Sequence, residues 1–506
     1  MAQGDAYDVI IIGGGSTGAV AASRLSEDPH RRVLLLEAGP DPDPIPEMIA
    51  DGSQGVRAVL ESPYVLMYPT ERPGEDSTFY KITGRVMGGG SSVNAMAVVR
   101  PTKGDLDGWA ALGNPGWGFD DCLPYLKKLE SEQDYPEAPY HGTSGPLYVK
   151  RPWRLDMEPS APVRAFIERA QQMGMPLCPD LNVPEPFGVC GSAYNIKEGV
   201  RQSVTVAYLN PARERANLTI QAEAKVLSLA VRGRRVEEVV YEQGGQRHSA
   251  TAGQVVLCAG TYHSPQVLTL SGIGPEAELK RLGITPTLVR EGVGLNYQDH
   301  ATLDLTYEGR AEFSPDWVVP RFRLSFKSDP SRESSDFHMF MRPPVEIAGL
   351  KRMMPVSANL LEQRDRGRVF LASADPHELP LVQDAGLQHP DDLKAMLTAM
   401  DFLHELVSHP SMAPFYGPLL SPGQGEDWGE YARSGYGSYH HGAGTCKMGP
   451  ASDPEAVVDH RLLVHGLDNL RVADASIMPT VAHANTNVTC IMIGERVADF
   501  VREDAS

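Results

Sequence analysis

Cysteine is scarce in this 506-residue chain, and its six copies, Cys122, Cys178, Cys190, Cys258, Cys446 and Cys490, are scattered without a C-x-x-C pair. That spacing supports neither a disulfide framework nor a zinc site, so a reduced compartment and no metal are expected. No run of ~18 apolar residues occurs, and no segment reads as a membrane span. The apolar stretch near the N-terminus, YDVIIIGGG, has no basic residues ahead of it and is too short for a secretory segment, so a cytoplasmic location is expected. Positive charge is also in deficit: 46 Lys and Arg against 65 Asp and Glu leave a net charge of −19. Nucleic acid and anionic membrane surfaces both call for a basic face, and neither is expected as a partner. The chain has no internal repeat and no low-complexity linker.

Glycine and proline are plentiful, 49 and 41 residues, which points to tight turns or a glycine-dependent ligand site. The first forty residues supply such a site. YDVIII (7–12) is a β-branched run of the buried parallel-strand type. It enters Gly13-Gly14-Gly15-Ser16-Thr17-Gly18, then an alanine-rich amphipathic helix, then a second buried strand, RVLLLE, ending on Glu37. Strand, G-x-G-x-x-G, helix, strand and acid is the order of the dinucleotide fold. Gly13 permits the tight turn, Gly15 lets the backbone approach a pyrophosphate seated on the helix N-terminus, and Gly18 lets that helix pack on the strand. Glu37 suits ribose hydroxyls and disfavours a 2′-phosphate. The motif implies a bound ADP moiety and does not separate FAD from NAD.

A looser match, Gly272-Ile273-Gly274-Pro275-Glu276-Ala277, could mark a second nucleotide site. Ser264 followed by Pro265 reads instead as an N-cap and a first helical residue, with Gly272 as terminator, so this glycine pair follows a helix. Other segments favour flavin. GRVMGGGSSVN (84–94) offers a run of amides suited to a pyrophosphate or a flavin edge, and a strand over 470–473 delivers Asp474 to the end of a parallel sheet, where ligands bind.

On these motifs the chain resembles the glucose–methanol–choline (GMC) flavin oxidoreductases, from Tyr7 to about Val501. The resemblance also covers Gly260–Gly274, EGVGLNYQDH (291–300), YHHGAGTCKMG (439–449) and the stretch from Leu470 to Asp499. In pattern it is nearest to hydroxymethylfurfural oxidase-like, pyridoxine 4-oxidase-like and choline oxidase-like members. It implies an α/β fold (α+β overall). A Rossmann-like FAD-binding domain (1–150, 191–300 and 436–506) is interleaved with a substrate-binding domain (151–190 and 301–435) built on an antiparallel sheet with flanking helices. By the same resemblance, FAD meets Gly13, Gly15, Ser16, Thr17, Gly18, Glu37, Ala38, Arg85, Gly88, Gly89, Ser92, Asn94, Val226, Ala259, Asp474, Ala475, Asn485 and Thr486. Val226 contributes its backbone beside adenine. Val93 stands where tethering members carry histidine, so non-covalent FAD is expected.

Taking hydride from a carbinol carbon requires a group that accepts the hydroxyl proton, and histidine suits this near neutrality. Among 15 histidines, His440 and His441 stand out because Gly442-Ala443-Gly444 follows them. Neighbours on an extended chain face opposite ways, so one of the two should meet the flavin. The resemblance selects His441 as base, ahead of x-x-G-T, and Asn485 as its partner, two residues before Asn487; His483 is out of register. It implies FAD-dependent oxidation of a primary or secondary alcohol to the aldehyde or ketone, with hydride passing to flavin N5 and O₂ as acceptor. A dehydrogenase using another acceptor and a redox-silent hydroxynitrile lyase-type enzyme are the alternatives. Within 301–435, ATLDLTYE and GRVFLASAD alternate as an antiparallel sheet with one covered face would. HMFMRPP (338–344) reads as buried strand, with Arg342, Met353 and Met354 as unranked pocket candidates.

Overall fold

Two large sheets organise the chain in the computed structural model, which describes residues 6–53, 62–72, 79–310, 322–345 and 352–504. The first runs Leu218–Gln221, Val33–Leu36, Ala6–Ile12, Gln246–Leu257, Arg235–Gln243, Ala224–Arg232, with Leu470–Val472 also paired to Gln246–Leu257. Its centre is parallel, Ile10 lying opposite both Leu34 and Val255. Val9–Ile12 and Val33–Leu36 are buried throughout, as strands covered on both faces must be. Strand Ala6–Ile12 ends at Gly13, whose φ of +100° and 2.4 Å approach of a built Cβ to the Cys258 carbonyl exclude any side chain. Helix Gly18–Leu25 follows, and the last helix, Thr486–Asp504, packs on it through Gly494 against Thr17 and Val20.

The second sheet runs Leu177–Cys178, Gly188–Gly191, Phe322–Phe326, Phe337–Met341, Met353–Leu360, Ala301–Gly309, Tyr416–Ser421, with Gly437–Ser438 also on Ala301–Gly309. Apart from the first pair it is antiparallel. One set of alternate residues, including Phe322, Leu324, Phe337, Met339, Met341, Met354 and Val356, joins a core shared with helices Ala161–Gln172 and Pro390–Val407. The other set, Arg323, Ser325, His338, Phe340, Ser357 and Asn359, is buried too. Both faces are therefore covered, not one, and the second face is polar. Of HMFMRPP, Met339 and Met341 belong to the helix-covered core whereas His338 and Phe340 point the other way.

Two local expectations are corrected. GRVFLASAD contributes only Arg368–Phe370, in a separate four-stranded sheet with Leu381–Gln383, Val65–Glu71 and Phe79–Gly84, because Val369 packs with Val382 on Tyr68, Tyr262 and Tyr297. The helix expected to start at Ser264 begins at Gly260, so Pro265 lies inside it. Its ring removes the bond that the Thr261 carbonyl would accept, and the Thr445 hydroxyl satisfies that carbonyl instead, at 2.6 Å. Ser264 does not cap; its hydroxyl donates to Asp474 at 2.6 Å. Gly272, φ +76°, ends the helix as read.

Candidate active site

The nucleotide-side residues gather at the carboxyl ends of the parallel strands. Glu37 follows Leu36 directly, and its carboxylate accepts the Gly14 and Gly39 amides, both at 2.7 Å. Burial raises its pKa while these two amides pull it down. A carboxylate has about four acceptor positions, so two remain for hydroxyl donors. Gly89, φ +50°, approaches the fingerprint so closely that a Cβ on it would lie 2.8 Å from Gly15 Cα. Gly88, φ +89°, leaves equally little room: a Cβ there would sit 2.5 Å from Thr205 Oγ1, which is buried and unpartnered. The two glycine segments thus form a cradle of bare backbone.

Around that cradle, Ser16 Oγ donates to Asn487 Oδ1 at 2.8 Å, Ser92 Oγ to the Met87 carbonyl at 2.8 Å, and Arg85 reaches the Ala38 carbonyl at 3.5 Å. Asn94 Oδ1 accepts from the Met96 amide and Arg201, each at 2.9 Å. Thr17 Oγ1 bonds the Cys490 carbonyl, which ties the first turn to the last helix. Val226 sits on the sheet's edge strand beside a register shift, with backbone groups not used by a second neighbour. Asp474 accepts the Gly260 amide and the Ser264 hydroxyl on one oxygen and the Ser476 amide on the other, and so fixes the helix that starts after Ala259. Ala475 receives the Gly444 amide, and Thr486 opens the last helix. A side-chain-free cradle, an acid with spare acceptors and an open strand edge suit a flavin dinucleotide.

The second group lies at the turn 438–445. His440 takes φ +62° and is exposed, while His441 is buried, so only the second of the pair enters the interior. Asp299 sets this turn: its Oδ1 accepts the amides of His441 and His300, both at 2.8 Å. Its Oδ2 is held by Lys81 at 2.8 Å and by the Ser438 hydroxyl, and Lys81 reaches Asp384 at 2.7 Å. Burial pushes Asp299 up, but the Lys81 charge and the hydrogen bonds from Lys81 and Ser438 together outweigh it and hold the carboxyl below its ordinary range. Burial likewise opposes the Lys81 charge, yet the two carboxylates leave its pKa raised.

His441 Nδ1 lies 2.8 Å from His300 Nδ1, and its Nε2 lies 2.9 Å from Asn485 Nδ2. With the amide NH₂ donating, Nε2 carries the lone pair and Nδ1–H donates to His300. Burial, with His300 next, pushes the His441 pKa well below the usual imidazole value, and burial pushes His300 down to about 4. Both rings are therefore neutral at neutral pH. Asn485 Oδ1 is buried with no partner among the described residues. His483 turns elsewhere: its amide and Nδ1 both bond Asp105, the ring contact at 2.5 Å, and although burial opposes it, Asp105 leaves its pKa raised.

The structure thus brings His441 and Asn485 together as a pair and leaves His483 outside it. Sequence reasoning missed His300, Lys81, Asp299 and Asp384. The adjacent Asp299-His300 at the end of EGVGLNYQDH was the one available signal; nothing near Lys81 or Asp384 in sequence announces a partner.

Comparison with known proteins gives a consistent picture. Residues 7–302 and 363–494 match the N- and C-terminal family models described as GMC oxidoreductase. The chain is 33% identical to the mitochondrial choline dehydrogenase of Homo sapiens, over 98% of this chain and 90% of that protein. It is 32% identical to an oxygen-dependent choline dehydrogenase of Staphylococcus aureus, over 98% of this chain and 93% of that one. Among solved structures it superposes on pyridoxine 4-oxidase from "Mesorbium loti" with a TM-score of 0.91 at 28% identity, covering 97% of this chain and 98% of that one. No helix among the described residues is long and apolar enough to cross a membrane.

Proposed function

The chain belongs to the GMC oxidoreductase family, FAD-dependent enzymes that oxidise alcohols, and on that premise we propose that His441 is its general base and Asn485 its substrate-orienting partner. The observation that carries this reading is the 2.9 Å contact between Asn485 Nδ2 and His441 Nε2, because it places a neutral lone pair and an amide at one point. A substrate hydroxyl entering between them gives its proton to Nε2 and accepts a hydrogen bond from Nδ2. The unpartnered Asn485 Oδ1 is free to turn toward substrate. His300 Nδ1 accepts the hydrogen bond from the His441 Nδ1–H and so fixes the tautomer, and Asp299, through the two amides it accepts, fixes both rings. FAD, when bound, supplies the two-electron hydride acceptor. Gly13, Gly15, Ser16, Thr17, Gly18, Gly88, Gly89 and Ser92 offer its pyrophosphate close backbone and small side chains; Glu37 suits the ribose and the Val226 edge the adenine. Val93 is buried and aliphatic, so the cofactor is held without a covalent tether.

The same proposal divides the chain into an FAD-binding unit (1–150, 191–300 and 436–506) and a substrate unit (151–190 and 301–435). The substrate is a primary or secondary alcohol, and likeness to an oxygen-dependent enzyme and to an oxidase favours O₂ as acceptor.

The test is a panel of alcohols added anaerobically while the flavin absorbance is followed, and then admission of air. Bleaching by an alcohol and rapid return of colour in air are expected; a flavin that no alcohol bleaches overturns the reading. His441→Ala should slow bleaching by about 10²–10⁴-fold with FAD still bound. A near-normal rate removes His441 from its role.

A further inference from the structure

The buried polar face of the second sheet holds a charge that the proton-transfer pair does not use. Arg323, in strand Phe322–Phe326, is 3% exposed, and its Nε and Nη1 have no hydrogen-bond partner among the described residues. Among the described residues no carboxylate pairs with it. The groups around it are the Tyr439 and Tyr194 phenols and His338, with its guanidinium carbon 5.6 Å from the Phe340 ring centre. A π face offers attraction but no acceptor for in-plane N–H groups. The Tyr439 phenol is within hydrogen-bonding reach but brings no charge to balance the guanidinium, and a charge this deep is costly, so the donors left over imply an anion that arrives with a ligand.

The surroundings place that ligand at the catalytic pair. From Arg323 the wall continues through Phe340 to Tyr439, ring centres 6.1 Å apart, and from Tyr439 to His441, 4.5 Å apart. Arg323 is among the charges acting on His441. Phe340 is buried yet joins none of the apolar cores, and His338 Nδ1 is likewise unpartnered. The site therefore has a base at one end, aromatic rings along it and a guanidinium at the other end.

We propose that Arg323 is a specificity residue that binds a carboxylate on the alcohol substrate, so that the enzyme acts on an aryl carbinol bearing a carboxylate remote from the reacting CH–OH. One planar guanidinium flanked by phenols matches a carboxylate fork. A phosphate dianion calls for a second cation, and the buried Lys81 is committed to Asp299 and Asp384. A quaternary ammonium alcohol such as choline, named for two relatives, is repelled by the same charge. The inference takes its substrate geometry from the function proposed above.

The experiment uses the holoenzyme with Arg323→Met and Arg323→Lys. Four alcohols are compared by anaerobic flavin bleaching: 4-(hydroxymethyl)benzoate, its phosphonate analogue, benzyl alcohol and choline. Non-oxidisable benzoate is titrated against the flavin absorbance, and thermal midpoints are recorded. In the wild type the carboxylate should exceed benzyl alcohol in kcat/KM by at least about tenfold, the scale of a charge-assisted hydrogen bond. That ratio should collapse in Arg323→Met, chiefly through KM, and recover in part in Arg323→Lys. Benzoate binding should weaken in parallel, and the midpoint of Arg323→Met should hold or rise, since an unpaired buried charge has gone. A ratio unchanged by Arg323→Met, or a wild type that prefers benzyl alcohol, the phosphonate or choline, overturns the inference. If no alcohol bleaches the flavin but benzoate binding still depends on Arg323, the oxidation reading fails and the anion site stands.

Discussion

At His441 the direction of the pKa shift becomes a kinetic statement. A base works only when deprotonated, and burial together with His300 holds this imidazole well below the ordinary value of ~6.5. The neutral form therefore predominates across neutral and mildly acidic pH. The pH profile of kcat/KM should stay level from neutrality down past pH 6.5, with its acid limb displaced below that value. A limb at or above 6.5, measured with a substrate that does not itself titrate there, contradicts the assignment. Asn485→Ala should leave the position of that limb nearly unchanged while lowering kcat/KM, because the orienting role proposed for Asn485 uses an amide that does not titrate in this range. The residues alone narrowed the candidates to His440 and His441, and the family resemblance then selected His441 and Asn485, which the structure brings to 2.9 Å of each other. His300 was not legible in sequence: its part depends on facing His441 across a gap of 141 residues, which no local pattern encodes.

Among elements, strands and their glycine turns were the most readable, because burial on both faces of a parallel sheet leaves continuous β-branched runs. Leu470–Val472 and the 6–12 and 33–36 strands appear where the apolar runs are. The helix at 260–270 was misplaced at its start because a tertiary hydroxyl, from Thr445, takes over the carbonyl that Pro265 leaves unbonded. The second sheet's polar face was missed for a related reason. In RFRLSF the alternation marks Phe322, Leu324 and Phe326 as one face, but a polar set alternating with it reads as solvent-facing until the chain beyond is seen to cover it. The glycine loop yields a prediction at this scale. Gly89→Ala must place a Cβ at a positive φ and 2.8 Å from Gly15 Cα, a clash with backbone that no side-chain rotation can relieve. The expected result is a folded protein that purifies with little FAD, read from the ratio of flavin to protein absorbance; full flavin content refutes it.

Across the whole molecule, Lys81 joins parts that the chain keeps far apart. It comes from Phe79–Gly84 in the four-stranded sheet and meets Asp384 just after Leu381–Gln383. It also meets Asp299, which leads into Ala301–Gly309 of the second sheet and fixes the His441 turn. All three side chains are almost wholly buried, so removing the cation leaves two carboxylates without their counter-ion, a loss of about 3–5 kcal/mol. Lys81→Met should therefore lower the denaturation midpoint markedly. The pH dependence identifies the cause. In the parent, Asp299 titrates below its unfolded value, so its contribution to stability is complete above about pH 4 and lost only as pH falls through the folded pKa. Lys81 titrates above its unfolded value, and its contribution is complete below about pH 10 and lost as pH rises through the folded pKa. Without Lys81, burial, the largest influence on the Asp299 carboxyl, is no longer opposed by the cation and raises it above its unfolded value, which reverses the sign. The variant then gains stability as protons bind on going from pH 7 toward pH 5, while the parent gains none from this cluster. Midpoints measured for both proteins across that range should converge as pH falls, and a deficit that stays constant between pH 7 and pH 5 would show that Lys81 acts through packing and not through charge.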